Sequence, residues 1–179
     1  MSNARSSPSS TSQMPEWRHD GVVRHVFNLL ELEVEPHGMA TAPPGHDFSG
    51  ASVTDRVGAT LTGLSVYELP PGQSGWPYHF ELGEEEWVIV IAGELVLRTP
   101  SGERTLRVGD VACFPAGAEG AHGFRNDGEA VARFAMPSAG LSHIDGCVYP
   151  DSNKIVVRGP GFSRRFELGP EREYWEGES

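Results

Sequence analysis

At 179 residues the chain is long enough to bury one sizeable core and short for two complete domains, so one domain with tails is the default. A net charge of −11 without any cluster of Lys and Arg argues against nucleic acid as a partner and points to a soluble protein. No apolar run approaches the roughly eighteen residues that cross a bilayer, and no signal-peptide core opens the chain, so a cytoplasmic location away from membranes is expected.

Residues 1–15 are mostly Ser, Thr, Pro, Gln and Asn, too polar to offset their ordering entropy, and read as a disordered tail. Residues 16–58 read as an N-terminal arm and loop wrapping the domain. Val22–Leu30 is a short apolar stretch whose periodicity fits strand or helix, whereas Glu33–Gly58 is punctuated too often by Gly and Pro for a regular element.

From Ala59 to Val157 short β-like runs alternate with Gly, Pro and Asp: 59–69, 78–81, 86–91, 94–99, 103–108, 111–115, 122–126, 130–136 and 143–149. Many short strands with almost no helical period predict an all-β sandwich or barrel. Trp87–Ile91 is apolar at every position, so both faces of that strand must be covered, one by the interior and one by another sheet or a second subunit. Residues 158–179 carry Phe166, Leu168, Tyr174 and Trp175 among charges and read as a segment covering a sheet edge. Cys113 and Cys147 have no disulfide or C-x-x-C spacing and read as buried thiols in a reducing compartment.

His79 and Glu81 are two apart in a β-like segment, so their side chains share one strand face. Glu86 opens the next strand and His122 a later one. Imidazole and carboxylate are ligand types for divalent zinc, iron, manganese or nickel. A loop cap at His79 and a solvated turn at Glu84–Glu86 are the competing readings of the same residues.

The two stretches resemble the two signature motifs of the cupin superfamily. Gly72, His79, Glu81, Glu86 and Gly93 follow the first, with one extra residue after Gly72 and Glu81 at the position of the second histidine. Gly109, Pro115, Gly117, His122 and Asn126 follow the second, with four residues instead of two between Gly117 and His122. The resemblance extends over about residues 58–157 and is nearest to single-domain bacterial cupin-2 proteins. It implies a double-stranded β-helix (cupin jelly-roll barrel), commonly a homodimer, with one divalent transition metal ion at His79, Glu81, Glu86 and His122.

Two anionic and two neutral ligands result if both glutamates bind; otherwise His79, Glu86 and His122 bind and Glu81 is free as a catalytic general base. Glu85 is the rival for the place of Glu86, which the spacing to Gly93 favours. His143 is a further candidate for the cavity. His19, His25, His37 and His46 fall in the irregular N-terminal region. Trp76, Tyr78, Phe80 and Trp87 surround the ligand positions in sequence and read as packing around a dry site. Arg125 and Arg133 are candidates to orient an anionic substrate if they point inward, although Arg125, an odd number from His122, faces outward in a regular strand.

The expected function is a metal-dependent enzyme acting on a small organic metabolite, with dioxygenase, isomerase, lyase and decarboxylase types all open. The alternative is a cupin that binds a sugar or carboxylate without turnover.

Overall fold

In a computed structural model that describes residues 17–19, 22–24, 26–37, 41–140 and 145–178, nearly every apolar run of the sequence is a strand. The expected tail at 1–15, His25 and His143 lie outside the described residues, as does the side chain of His19. β1 (Trp17–His19) and β2 (Val22–Arg24) pair with each other. β3 (Glu35–Pro36) and β4 (Ser49–Ser52) lie in the stretch read as loop, yet both extend a sheet at the edge of β5 (Gly63–Leu69). They are too short for an alternation pattern, and it is the neighbouring strand that holds them extended. Between β4 and β5, α1 (Thr54–Val57) makes one turn, ended by Gly58 at φ 71°.

The remaining strands are β6 (Phe80–Glu81), β7 (Glu84–Ala92), β8 (Glu94–Thr99), β9 (Gly102–Arg107), β10 (Val111–Phe114) and β11 (Gly123–Arg125). They are followed by β12 (Ala132–Gly140), β13 (Asp145–Tyr149), β14 (Lys154–Gly159) and β15 (Phe162–Glu167). All pairings are antiparallel and give sheets in the orders β10-β7-β12-β5-β4-β3, β11-β8-β9 and β15-β14-β13-β6. The fold is the double-stranded β-helix of the cupin barrel.

Leu69, Val88, Val90 and Phe134 from the six-stranded sheet meet Leu95, Leu97, Leu106 and Phe124 from the three-stranded one, all buried. At about 1.5–3 kcal/mol for each large side chain, this core is the main source of stability. Gly93 lets the chain pass from β7 into β8. Its φ is 71°, and a Cβ there would stand 2.6 Å from the Val131 carbonyl oxygen, so a side chain would meet both strain and backbone.

The outer face of β7 is covered from within the chain. Ile89 and Ile91 pack on a second cluster formed by Leu32, Val53, Val66 and Ala135 with Phe27 and Leu29 at its margin. The arm thus supplies the second cover that the all-apolar strand requires. Trp87 is the exception: it is 39% exposed and its indole N–H donates to Glu85, so it points away from the ligand positions it was expected to enclose. Cys147 is buried, but Cys113 is exposed on the edge strand β10, contrary to the expectation of two buried thiols.

Asn126, fully buried, is a clamp for the barrel rather than a group at the site. Its amide donates to the carbonyls of Leu69 (2.7 Å) and Ala130 (2.8 Å), and its oxygen accepts from the Gly128 N–H (2.9 Å). Asn126→Ala removes all three bonds and leaves buried backbone groups unpaired. An expected loss of about 3 kcal/mol in urea denaturation follows at roughly 1 kcal/mol for each bond.

Candidate metal centre

His79, just before β6, and His122, just before β11, sit opposite each other in an isolated antiparallel bridge. The His79 N–H donates to the His122 carbonyl (3.0 Å) and the His122 N–H to that of His79 (2.8 Å). Such a pair places both side chains on one face, and the two ring centroids are 4.7 Å apart. The two additional residues before His122 are taken up by a 3₁₀ turn over Ala118–Gly120. Gly120 passes so close to Pro115 that a Cβ would lie 1.8 Å from its carbonyl oxygen, which only glycine permits.

Backbone carbonyls orient both imidazoles. Nδ1 of His79 lies 2.9 Å from the Pro77 oxygen and Nδ1 of His122 lies 2.9 Å from the Gly120 oxygen. Each Nδ1 therefore carries the proton and each Nε2 presents a lone pair, the arrangement usual in metal-ligating histidines. Phe114 stacks on His122 at 3.9 Å and closes the site from behind.

Glu86, at the start of β7, directs Oε2 to 3.8 Å from His79 Nε2 and 3.5 Å from His122 Nε2. Neither Glu86 Oε2 nor His122 Nε2, both buried, has a hydrogen-bond partner among the described residues. Three lone-pair donors converging in a dry space repel one another unless a cation or a proton lies among them. His79, Glu86 and His122 therefore fit a divalent ion, and their ligand atoms lie within 4.8 Å of one another. Glu85, by contrast, is exposed and bonded to Trp87.

Glu81 stands beside this group, with Oε1 3.7 Å from His79 Nε2. Glu81, His79 and Cys147 form a second group of ligand-type atoms within 4.8 Å. Burial pushes the Cys147 thiol up to about 12, so the sulfur is offered protonated. Arg158 approaches Glu81 to 3.8 Å from β14. Sequence reading missed Asp145, Cys147, Tyr149, Lys154, Arg158 and Arg165. The strand alternation of β13, β14 and β15 is the signal that could have placed them on one face.

His79, Glu81, Glu86, Tyr149, Lys154, Arg158 and Arg165 border a cavity of about 590 Å³ that also meets Phe48, Tyr67 and Trp76. Trp76 packs into the aromatic cluster of the core, as expected, whereas Tyr78 lies under the Arg98 guanidinium (3.9 Å). His37 and His46 also line the cavity but lie outside the two ligand groups. Arg125 and Arg133 do not line it. Arg125 is held by Glu103 and Asp127, and Arg133 by Glu68 and the Leu29 and Leu32 carbonyls.

Burial without a counter-ion sets the protonation of the metal-free site. Desolvation is the leading cause throughout: it lowers His79 to about 4 and His122 to about 3, and raises Glu81 to about 8 and Glu86 to about 7. Asp145 beside Glu81 and Glu84 near Glu86 add to the upward shifts.

The histidines bind fewer protons folded than unfolded below 6.5, so stability rises with pH there. The glutamates bind more protons folded than unfolded above 4.5, so stability falls with pH there. In chelator the two effects oppose each other between about pH 4.5 and 6.5. A plateau in that interval is expected, followed by a loss of roughly 2–3 kcal/mol on going to pH 8. Urea denaturation across this range measures it, and excess zinc, which favours ionised carboxylates, is expected to abolish the loss.

Comparison with known proteins places a cupin domain (Cupin_2) over residues 65–137. No curated protein sequence matches the chain. Among solved structures it is similar to a candidate sugar phosphate isomerase from Acidithiobacillus ferrooxidans ATCC 23270. The two share 26% identity at a TM-score of 0.71, over 81% of this chain and 91% of that one. A cupin-superfamily protein from Silicibacter pomeroyi, named as a sugar phosphate isomerase, is 24% identical at a TM-score of 0.69, over 79% of this chain and 92% of that one. A predicted oxalate decarboxylase from Thermotoga maritima is 22% identical at a TM-score of 0.53, over 65% of this chain and 99% of that one. Among the described residues no helix is long and apolar enough to cross a membrane.

Proposed function

For a chain whose residues 65–137 form a cupin domain, we propose a metal-dependent isomerase that moves a proton between adjacent carbons of a small hydroxylated carbonyl compound. The observation that carries this reading is the position of Glu81. It is a carboxylate lining the cavity 3.7 Å from His79 Nε2 that is not a member of the His79–Glu86–His122 set. The similarity to the Acidithiobacillus protein supports the same direction.

His79, Glu86 and His122 hold the ion; when bound, a divalent ion such as zinc, iron, manganese or nickel supplies Lewis-acid polarisation of a substrate oxygen. Glu81 acts as the base. Its carboxylate takes the proton from the carbon that bears a hydroxyl group and returns it to the neighbouring carbon. One C–H and one O–H bond break and one of each forms, the hydroxyl proton passing to the former carbonyl oxygen, so the conversion is redox-neutral and needs no co-reactant. Phe48, Tyr67 and Trp76 form an apolar wall that limits water at the reacting carbons.

The test is incubation of the metal-loaded protein in deuterium oxide with a panel of aldoses, ketoses and their phosphate esters, followed by proton NMR. Deuterium is expected at the carbon next to the carbonyl. Saturable binding without exchange would identify a non-catalytic binding protein, and oxygen consumption would redirect the assignment to a dioxygenase.

A further inference from the structure

The cavity has a cationic wall that the metal group does not need. Lys154 and Arg158 are four positions apart along β14 and so point to the same face, and Arg165 on β15 pairs with Val156 between them. All three line the cavity with Glu81 and Glu86. The register across the sheet explains why: Glu81 on β6 pairs with Cys147 on β13, Cys147 with Val156 on β14, and Val156 with Arg165 on β15. One face of the four-stranded sheet thus carries the proposed base on β6 and the cations on β14 and β15, with Arg158 reaching back to 3.8 Å from Glu81.

Among the described residues none of these cations is held in a hydrogen-bonded ion pair, unlike several others in the protein. Arg98, Arg125, Arg133 and Arg172 are each tied to carboxylates in hydrogen-bonded ion pairs. Arg165 has no such partner among the described residues. Lys154 lies over the Tyr149 ring (4.5 Å), and Arg158 approaches Glu81 only to 3.8 Å without a hydrogen bond. In a chain of net charge −11, three such groups on one cavity wall form a local site for an anion.

We propose that Arg158, Arg165 and Lys154 bind the phosphate group of the substrate, an inference that rests on the cavity being the substrate site described above. Two guanidinium forks and an ammonium match the charge and several acceptor oxygens of a phosphate dianion better than a single carboxylate. The backbones of β14 and β15 lie two and three strand spacings from β6, about 10 and 14 Å. Arg158 bridges this span to within 3.8 Å of Glu81, so a phosphate held by the three cations lies on the same cavity wall as the proposed base. The three residues lie outside the matched region 65–137, so the C-terminal hairpin, rather than the barrel, selects the substrate.

The test is titration of the chelated full-length protein with inorganic phosphate, followed through the Nε–H resonances of its arginines. Arg158 and Arg165 are expected to shift along one saturating curve while Arg125, clamped by Glu103 and Asp127, stays in place. The double variant Arg158→Gln with Arg165→Gln is expected to weaken phosphate about 100-fold, roughly tenfold for each arginine. Unaltered phosphate binding in that variant, no saturable shift, or equal shifts of all exposed arginines would overturn the site. Malonate is expected to bind more weakly than phosphate; tighter malonate binding would overturn the phosphate assignment. Chelated protein neither holds the ion nor turns over. Phosphate binding without deuterium exchange in the metal-loaded assay therefore supports this site while removing the isomerase reading, and exchange without phosphate binding does the reverse.

Discussion

Replacing His122 by Ala is expected to abolish divalent-metal binding at the His79–Glu86–His122 group. Protein purified without chelator should carry about one divalent transition metal ion per chain, and the variant should lose more than about 100-fold in affinity. Removing a ligand costs at least as much as removing a group that merely orients one, which is 10–100-fold. The described residues offer the variant no second imidazole in the place of His122. His122 Nε2 is buried, its Nδ1 is occupied by the Gly120 carbonyl, and His37 and His46 on the cavity wall lie outside the ligand groups.

Because the ring also stacks on Phe114, the bulkier His122→Gln should accompany the Ala variant, so that loss of packing is separated from loss of the donor. Elemental analysis reads both. An ion that survives in both variants would show that His122 is not a ligand.

Glu81→Gln is expected to keep the ion and to lower kcat by about 10²–10⁴-fold, the contribution of a positioned base. The substitution preserves size and removes the charge beside His79, 3.7 Å away, and beside Arg158, 3.8 Å away. The paired measurements resolve the two roles open to this residue. Retained ion with lost turnover identifies the base, whereas lost ion identifies a fourth ligand. Turnover unchanged by the substitution would remove Glu81 from the mechanism.

Both variants probe residues that were visible in the sequence to different degrees. His79, Glu86 and His122 follow from motif spacing and strand alternation, since a turn residue and a two-residue period act within a few positions of the chain. The choice of Glu86 over Glu85 is of the same local kind: one residue along a strand reverses the face, and the structure turns Glu85 outward to Trp87. Glu81 could be placed on the face of His79 but not given a role, because the groups that distinguish ligand from base come from β13 and β14, more than sixty residues away.

The β-strand barrel is legible from short alternating strands and glycines at turns, and the candidate donors His79, Glu81, Glu86 and His122 from the resemblance to the cupin motifs. Tertiary structure alone decided which side chains share the cavity. The arm from Phe27 to Val53 covers β7, Cys113 faces outward, and the register β6-β13-β14-β15 aligns Glu81 with Arg158, Arg165 and Lys154. Cross-strand neighbours are set by the pairing of distant segments, which maximises burial and hydrogen bonding of the whole sheet. No window of sequence around any of these residues contains that pairing.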